Sequence, residues 1–196
     1  RRHLYRHYCA LIVEFFAINS MSTQELEKRV TVTNLDFIKK YFDNGQSVIG
    51  VVAHHSNWEW LLQRACTTLN VPFDAVYQKL SNKKIDDFIY ETRSRFGGLP
   101  IEMRQTYKEI VKRKGSVRGL CMVADQSPRK GKCDYFIDFF GESSPFYTGM
   151  ASIHQMTAYP LIFASMRKIK RGYYEISMEL INENPDDVSG NEVVER

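Results

Sequence analysis

The sequence has few cysteines, and none of them forms a paired motif. Its 4 cysteines lie at positions 9, 66, 121 and 133, and no two have the C-x-x-C spacing. This arrangement predicts neither a disulfide framework nor a zinc site, and it favours a reducing compartment.

Long hydrophobic runs are also missing. A membrane-spanning helix needs roughly 20 apolar residues, whereas the run at residues 9–13 is interrupted by Glu14. We therefore expect that this chain does not span a membrane. It opens on two arginines and stops in an acidic, polar stretch after Asn182. We expect it to be truncated at both ends, with any membrane anchor outside this sequence.

The chain has no strong excess of charge of one sign. The 27 Lys and Arg residues exceed the 23 Asp and Glu residues by only 4. This surplus favours acidic partners or an anionic membrane surface but is too small for a nucleic-acid-binding protein. With 43% hydrophobic and 26% charged residues over 196 positions, the composition predicts a single folded domain over residues 1–196.

Several common catalytic motifs are absent from the sequence. It contains neither G-x-G-x-x-G nor G-x-x-x-x-G-K-[ST], which removes the usual nucleotide-binding loops. The H-E-x-x-H motif of zinc proteases and the G-x-S-x-G elbow of serine hydrolases are missing too. We therefore expect no metal and no cofactor.

What the sequence does contain is an alternation of apolar runs and amphipathic segments. The predicted strands cover residues 48–53, 73–77, 117–124 and a short stretch near 101, and the predicted helices cover residues 35–42, 58–69, 83–96 and 107–114. A helix ending at 158 then precedes strands at 161–166 and 173–181, which form a hairpin. This order predicts an α/β fold with a mostly parallel central sheet flanked by helices and a C-terminal antiparallel hairpin.

The spacing of apolar residues predicts an amphipathic helix over the first 18 residues. Apolar side chains recur at three- and four-residue steps, namely at Leu4, Tyr8, Leu11, Phe15 and Ile18. Such a stripe usually packs against a core. The arginines at the start of the segment allow a second interpretation, in which a basic helix lies on a membrane surface.

Two predicted strands end in polar, titratable residues. The first is followed by His54 and Glu59, and the strand at 117–124 is followed by Asp125 and Gln126. Ligands of α/β proteins collect at the carboxyl ends of parallel strands. A carboxylate at Glu59 can hold the Nδ1 proton of His54 and leave the other ring nitrogen free as a general base. The alternative is that both residues only cap or pack, with Ser56 or Asn57 starting the helix.

Residues 53–61, AHHSNWEWL, resemble the H-x-x-x-x-[DE] block of the lysophospholipid acyltransferase superfamily. Further similarities occur in the order typical of its late acyltransferases of bacterial lipid A biosynthesis, the lauroyl and myristoyl type. They are Tyr77, Asn82, Asp86, Arg93 and Gly97, then Ala124-Asp125-Gln126, Phe139-Phe140-Gly141, Thr148-Gly149 and Ala158-Tyr159-Pro160. The chain departs from that pattern at Ala53, at His55, at Gln78 and at Gln126-Ser127-Pro128.

The resemblance implies transfer of a fatty acyl group from an acyl thioester, such as acyl carrier protein, to a hydroxyl of a lipid A precursor. It implies His54 as general base, assisted by Glu59, at the cytoplasmic face of the bacterial inner membrane. The implied substrate-binding residues are Asn57, Tyr77, Asn82, Arg93, Asp125 and Gln126. Two alternatives stay open, namely transfer to another lysolipid or aminolipid and a non-catalytic module that binds anionic lipid.

Clusters of basic and aromatic residues have two interpretations each. Basic groups at residues 112–118, 129–132 and 167–171 are either solvated surface or docking sites for an acidic carrier protein, a phosphorylated glycolipid or an anionic bilayer. The aromatic residues at 135, 136, 139, 140, 146 and 147 either line a groove for an acyl chain or pack in the core.

Overall fold

The apolar runs of the sequence form a central seven-stranded sheet. The computed structural model describes residues 2–128, 135–188 and 190–196. The strands in these ranges are β1 (Val30–Val32), β2 (Val48–Val52), β3 (Phe73–Tyr77), β4 (Gly98–Glu102), β5 (Gly119–Val123), β6 (Phe136–Phe139), β7 (Glu142–Pro145), β8 (Leu161–Lys170) and β9 (Tyr173–Asn182). The α-helices there are α1 (Arg2–Ala17), α2 (Thr23–Arg29), α3 (Leu35–Asp43), α4 (Trp58–Thr68), α5 (Lys83–Ser94), α6 (Thr106–Lys112) and α7 (Gly149–Thr157).

The sheet is mostly parallel. Its order is β1-β9-β8-β2-β5-β3-β4, and the five strands from β8 to β4 all run in the same direction. Strand β9 is antiparallel to β8, and β1 runs parallel to β9. The predicted α/β class, the mostly parallel sheet and the C-terminal hairpin are therefore confirmed.

Four short elements, two of which form a hairpin, were not predicted from the sequence. Helix α2 has 7 residues and is capped by Ser22, whose side chain accepts a hydrogen bond from the Glu25 amide. Strand β1 has 3 residues and pairs with β9, far along the chain. Strands β6 and β7 form a separate two-stranded hairpin. Elements this short carry too few residues for a periodic pattern, and their stability depends on packing or pairing.

The sheet is covered on both faces, as continuous apolar strands require. In β2, Val52 packs on one side into a cluster with Trp60 of α4 and Tyr174 of β9. Ile49, on the other side, packs with Ile153 of α7. Full burial of a large apolar side chain contributes about 1.5–3 kcal/mol relative to exposure, so these clusters fix the strands and thereby the loops that follow them.

The chain changes direction between β2 and β5. From β2 it passes through α4 to β3, on the far side of β5, whereas from β5 it leads through α7 to β8, on the far side of β2. The ends of these two neighbouring strands therefore border a crevice between diverging connections. In open α/β sheets such a switch point is where ligands bind.

The turn of the β6–β7 hairpin carries a strained residue. Phe140 has a φ of 55°, is followed by Gly141 with a φ of 79°, and is 93% exposed. A two-residue turn of this kind needs positive φ at both positions, which suits Asn-Gly and disfavours a bulky first residue.

Replacing Phe140 by Asn is expected to raise the free energy of unfolding by about 0.5–1 kcal/mol, because Asn tolerates the left-handed conformation. Denaturant unfolding measures the change. Phe136→Asn is the control, since Phe136 is also exposed, at 57%, but lies within strand β6. An unchanged midpoint for Phe140→Asn would show that the turn stores no strain.

Candidate active site

A histidine and a carboxylate face each other at the ends of β2 and β5. The Nδ1 atom of His54 lies 2.7 Å from Oδ1 of Asp125, and the backbone N–H of His54 donates to Oδ2 at 2.9 Å. An ionised carboxylate only accepts hydrogen bonds, so Nδ1 carries the proton and Nε2 is left as a proton acceptor. Both side chains are about one-third exposed, at 33% and 38%, which leaves the imidazole open to a substrate.

The strand register brings these two residues together. Val52 pairs with Val123 in the parallel β2–β5 ladder, and His54 and Asp125 each lie two positions further along. Because the side-chain direction repeats every two residues, they meet on the same side of the sheet edge. The predicted gathering of polar strand ends at one edge is present for this pair.

Glu59 does not contact His54 in this arrangement. Its carboxylate instead accepts two hydrogen bonds from Arg93 of α5, from the Nε atom at 3.0 Å and from the second terminal nitrogen at 2.6 Å. The predicted orientation of His54 by Glu59 is therefore corrected, since Asp125 holds the imidazole while Glu59 holds Arg93. The reason is that Glu59 lies in the first turn of α4, where it meets α5 rather than β5.

Trp58 is the link between the two pairs. Its ring meets that of His54 edge-on, with centroids 4.9 Å apart, and its indole N–H donates to Oε1 of Glu59 at 3.2 Å. Sequence reasoning gave this tryptophan no role. A tryptophan suits this position because its large ring makes apolar contacts while its indole N–H donates a hydrogen bond.

Arg93 is partly buried and firmly charged. Burial by itself would lower its pKa, but the hydrogen bonds and the Coulomb attraction of Glu59 outweigh burial and raise the pKa above the ordinary value. Its guanidinium also lies over the ring of Tyr77, 5.8 Å from the centroid. Burial, followed by the nearby acidic groups, raises the pKa of Tyr77. This corner of the site therefore holds a protonated guanidinium that is paired with the Glu59 carboxylate.

The turn between His54 and α4 is held by buried polar contacts. Asn57 caps α4 by accepting from the Trp60 amide at 3.0 Å, as predicted, and its Nδ2 donates to Glu14 of α1 at 2.7 Å. Asn57 is only 3% exposed. These bonds give Asn57 a structural role in holding the turn, and its contact with a substrate stays a prediction. Ser56, next to it, adopts a left-handed φ of 55°, the kind of strain that clusters at functional sites.

Two other predicted binding residues lie in different surroundings. Asn82 is the N-cap of α5, where its side chain accepts from the amides of Lys84 and Ile85. Gln126 lines the cavity that contains His54. A role for Asn82 in positioning α5, which carries Arg93, agrees with these contacts.

Three recesses meet near the His54–Asp125 pair. A cavity of about 190 Å³ is lined by His54, Trp58, Tyr77, Gln78, Arg93 and Gln126, among others. A cavity of about 470 Å³ beside Asp125 is lined largely by apolar side chains, including Phe146, Met150 and Phe163. An apolar cleft of about 340 Å³ lies between α1 and the residues Trp58, Glu59 and Ile89. Polar groups beside two apolar recesses are suited to an amphiphilic ligand.

The basic and aromatic clusters of the sequence analysis include residues that are exposed and residues that are bound within the protein. Arg113 and Arg118 are tied to the buried Asp74, so they are not free for docking. The basic residues Arg129, Lys130 and Lys132 lie outside the described residues. Of the aromatic side chains, those of residues 136, 139, 140 and 147 are exposed, whereas Phe146 lines the cavity beside Asp125.

Two further observations concern the described ranges only. None of the helices within them is both long enough and apolar enough to cross a bilayer. No group of three or more His, Cys, Asp and Glu side chains in those ranges is placed to hold a metal ion.

Comparison with known proteins gives one match that covers nearly the whole chain. The sequence model of a family described as bacterial lipid A biosynthesis acyltransferase matches residues 2–188. Comparison with individually curated proteins gave no match.

Proposed function

Because the chain belongs to the bacterial lipid A biosynthesis acyltransferase family, we propose that it moves a fatty acyl group from an acyl thioester to a hydroxyl of a lipid A precursor, with His54 as the general base. Membership of this family shows that the chain is an acyltransferase and that its class of acceptor is a lipid A precursor. The donor and the catalytic residues are our proposal. The observation that carries it is the hydrogen-bonded pair of His54 and Asp125 at the switch point of the sheet.

In the proposed reaction, Nε2 of His54 takes the proton of the acceptor hydroxyl as its oxygen attacks the thioester carbon. The tetrahedral intermediate then collapses, the carbon–sulfur bond breaks, and the leaving thiolate receives the proton from His54. Asp125 keeps the proton on Nδ1 and stabilises the imidazolium formed in between. The acyl group passes directly between the two substrates, so no acyl-enzyme is required.

The negative charge on the intermediate needs a stabilising partner. Arg93 lines the same cavity as His54, and the two hydrogen bonds from Glu59 hold its guanidinium in place. The amino end of α4, directly after the His54 turn, adds a partial positive charge. A preorganised positive group aimed at the developing oxyanion typically contributes more than any other single effect. We therefore assign Glu59 a positioning role through Arg93.

The recesses support an acyl donor and a lipid acceptor. The apolar cavity beside Asp125 is suited to a fatty acyl chain, and the chain's surplus of basic residues is suited to an acidic carrier protein as the donor. Gln78 and Gln126 line the cavity of His54 and allow, as the second candidate, a different lysolipid or an aminolipid as acceptor.

The proposal is tested by incubating the chain with acyl carrier protein loaded with a fatty acid and with a lipid A precursor. Mass spectrometry of the lipid should show the mass increase of one added acyl chain. Parallel reactions with acyl-coenzyme A as donor and with a lysophospholipid as acceptor test the alternatives. Acylation of the lysophospholipid alone would overturn the proposed acceptor.

A further inference from the structure

The solvent-facing side of α1 is almost entirely apolar. Eight side chains between residues 4 and 16 of this helix are exposed, and seven of them are apolar: Leu4, Tyr5, Tyr8, Cys9, Ile12, Val13 and Phe16. We call these seven the outer face of α1. The eighth, Arg6, is basic, and Glu14 is turned inward and is 7% exposed. Exposed apolar patches of this extent on a soluble protein mark an interaction surface.

The outer face continues into the active site. Tyr8, Ile12 and Phe16 also line the apolar cleft, whose opposite wall is formed by Trp58, Glu59 and Ile89. Trp58 and Ile89 in turn line the cavity that contains His54. The apolar cleft behind the outer face of α1 and the cavity of the proposed general base are therefore neighbours that share Trp58 and Ile89 in their walls.

We propose that the outer face of α1 docks on the surface of a phospholipid bilayer and that the cleft behind it receives an acyl chain of the lipid acceptor. The docking proposal rests on the proposed function, because an acceptor that is a lipid lies in a bilayer. A protein partner or a second copy on this face would cover the mouth of the cleft through which a lipid must enter.

The properties of α1 agree with a helix that lies in the plane of the interface. Its 16 residues span about 24 Å at 1.5 Å each, and its inner face is fixed to the protein by Glu14, which accepts hydrogen bonds from Asn57 and Tyr174. A helix fixed in this way presents only its outer side to lipid. Arg6 supplies a positive charge toward anionic headgroups, and no exposed acidic side chain lies between residues 4 and 16.

The first test is sedimentation with vesicles of phosphatidylethanolamine and phosphatidylglycerol that contain no acceptor. Replacing Tyr5 and Val13, which are 68% and 62% exposed, by Ser should weaken binding about tenfold or more, because their apolar area is no longer buried in lipid. The matched control replaces Val111 and Met156 by Ser. These are 64% and 47% exposed but line a cavity at the opposite edge of the sheet, so binding should be unchanged.

Cys9 provides a second, independent readout. It is exposed on the outer face, so in a Cys133→Ser chain a water-soluble maleimide should label it quickly, and saturating vesicles should slow labelling at least tenfold. Burial raises the pKa of Cys66 to about 12 and also raises the pKa of Cys121, so neither competes at neutral pH.

The proposal is overturned if vesicles leave the labelling rate of Cys9 unchanged or if the control pair weakens binding as much as the Tyr5 and Val13 pair. It is also overturned if sedimentation equilibrium shows a dimer that the Tyr5 and Val13 replacements dissociate, because a second copy then covers the face. Binding to acceptor-free vesicles needs no turnover. If the unsubstituted chain binds these vesicles but transfers no acyl group, the proposed function is refuted and the docking stands, whereas the His54→Ala chain should bind them as the unsubstituted chain does.

Discussion

Replacing His54 by Ala is expected to lower the rate of acyl transfer by about 10²–10⁴-fold, the usual contribution of a positioned general base. The loss should appear in kcat, because the imidazole acts on the hydroxyl proton during the attack rather than on binding. His54 lies in a turn with a one-third exposed side chain, so the variant should stay folded. Initial rates with the acyl thioester, together with circular dichroism, measure both effects. Near-normal turnover would remove His54 from the mechanism.

The partner of His54 is identified by combining substitutions at the two carboxylates. Residues that act through one shared group have non-additive effects, and independent residues have additive ones. Glu59→Gln and Arg93→Met should be strongly non-additive in kcat/KM, since they break the same ion pair. Asp125→Asn and Glu59→Gln should be nearly additive, because they act on His54 and on Arg93 separately. Strong coupling between Asp125 and Glu59 would contradict this division.

Replacing Asp74 by Ala is expected to lower the free energy of unfolding by about 3–5 kcal/mol. Asp74 is fully buried in β3 and forms ion pairs with Arg113 and with Arg118, the latter at 2.6 Å. Its removal leaves Arg118, itself almost completely buried, without its counter-charge, whereas Arg113 keeps its ion pair with Glu109 at 2.7 Å. Urea unfolding followed by tryptophan fluorescence measures the loss.

Glu175→Ala is the matched control for Asp74, since it also removes a carboxylate that bonds an arginine. Its partner Arg167 is 74% exposed, and a surface pair of this kind contributes about 0–1 kcal/mol. The urea concentration at the midpoint of unfolding should therefore be nearly unchanged. Asp74 lies near the start of β3, at the sheet edge opposite to His54, so folded Asp74→Ala protein should retain its kcat. Equal shifts for the two variants would show that burial does not strengthen this network.

Much of the fold was predictable because its strands are short, apolar and flanked by helix signals. Strand β3 was predicted at its observed bounds, and α4 begins at Trp58 behind its cap Asn57, as expected. The β6–β7 hairpin was missed because its strands have 4 residues each and are largely exposed. Such strands carry no apolar alternation that a pattern can detect.

By itself the sequence determined the α/β class, the position of His54 at a strand end, and the resemblance that the family match confirmed. These follow from local properties, namely apolar runs, turn residues and the order of short motifs. Only the tertiary structure decided that Asp125 rather than Glu59 holds His54, and that α1 turns apolar side chains outward. The first depends on the register of two strands 71 residues apart in sequence, and the second on which side of a helix its neighbours cover. Which strands pair, and which side of a helix its neighbours cover, are contacts between segments far apart in sequence, so the spacing of residues within one segment does not specify them.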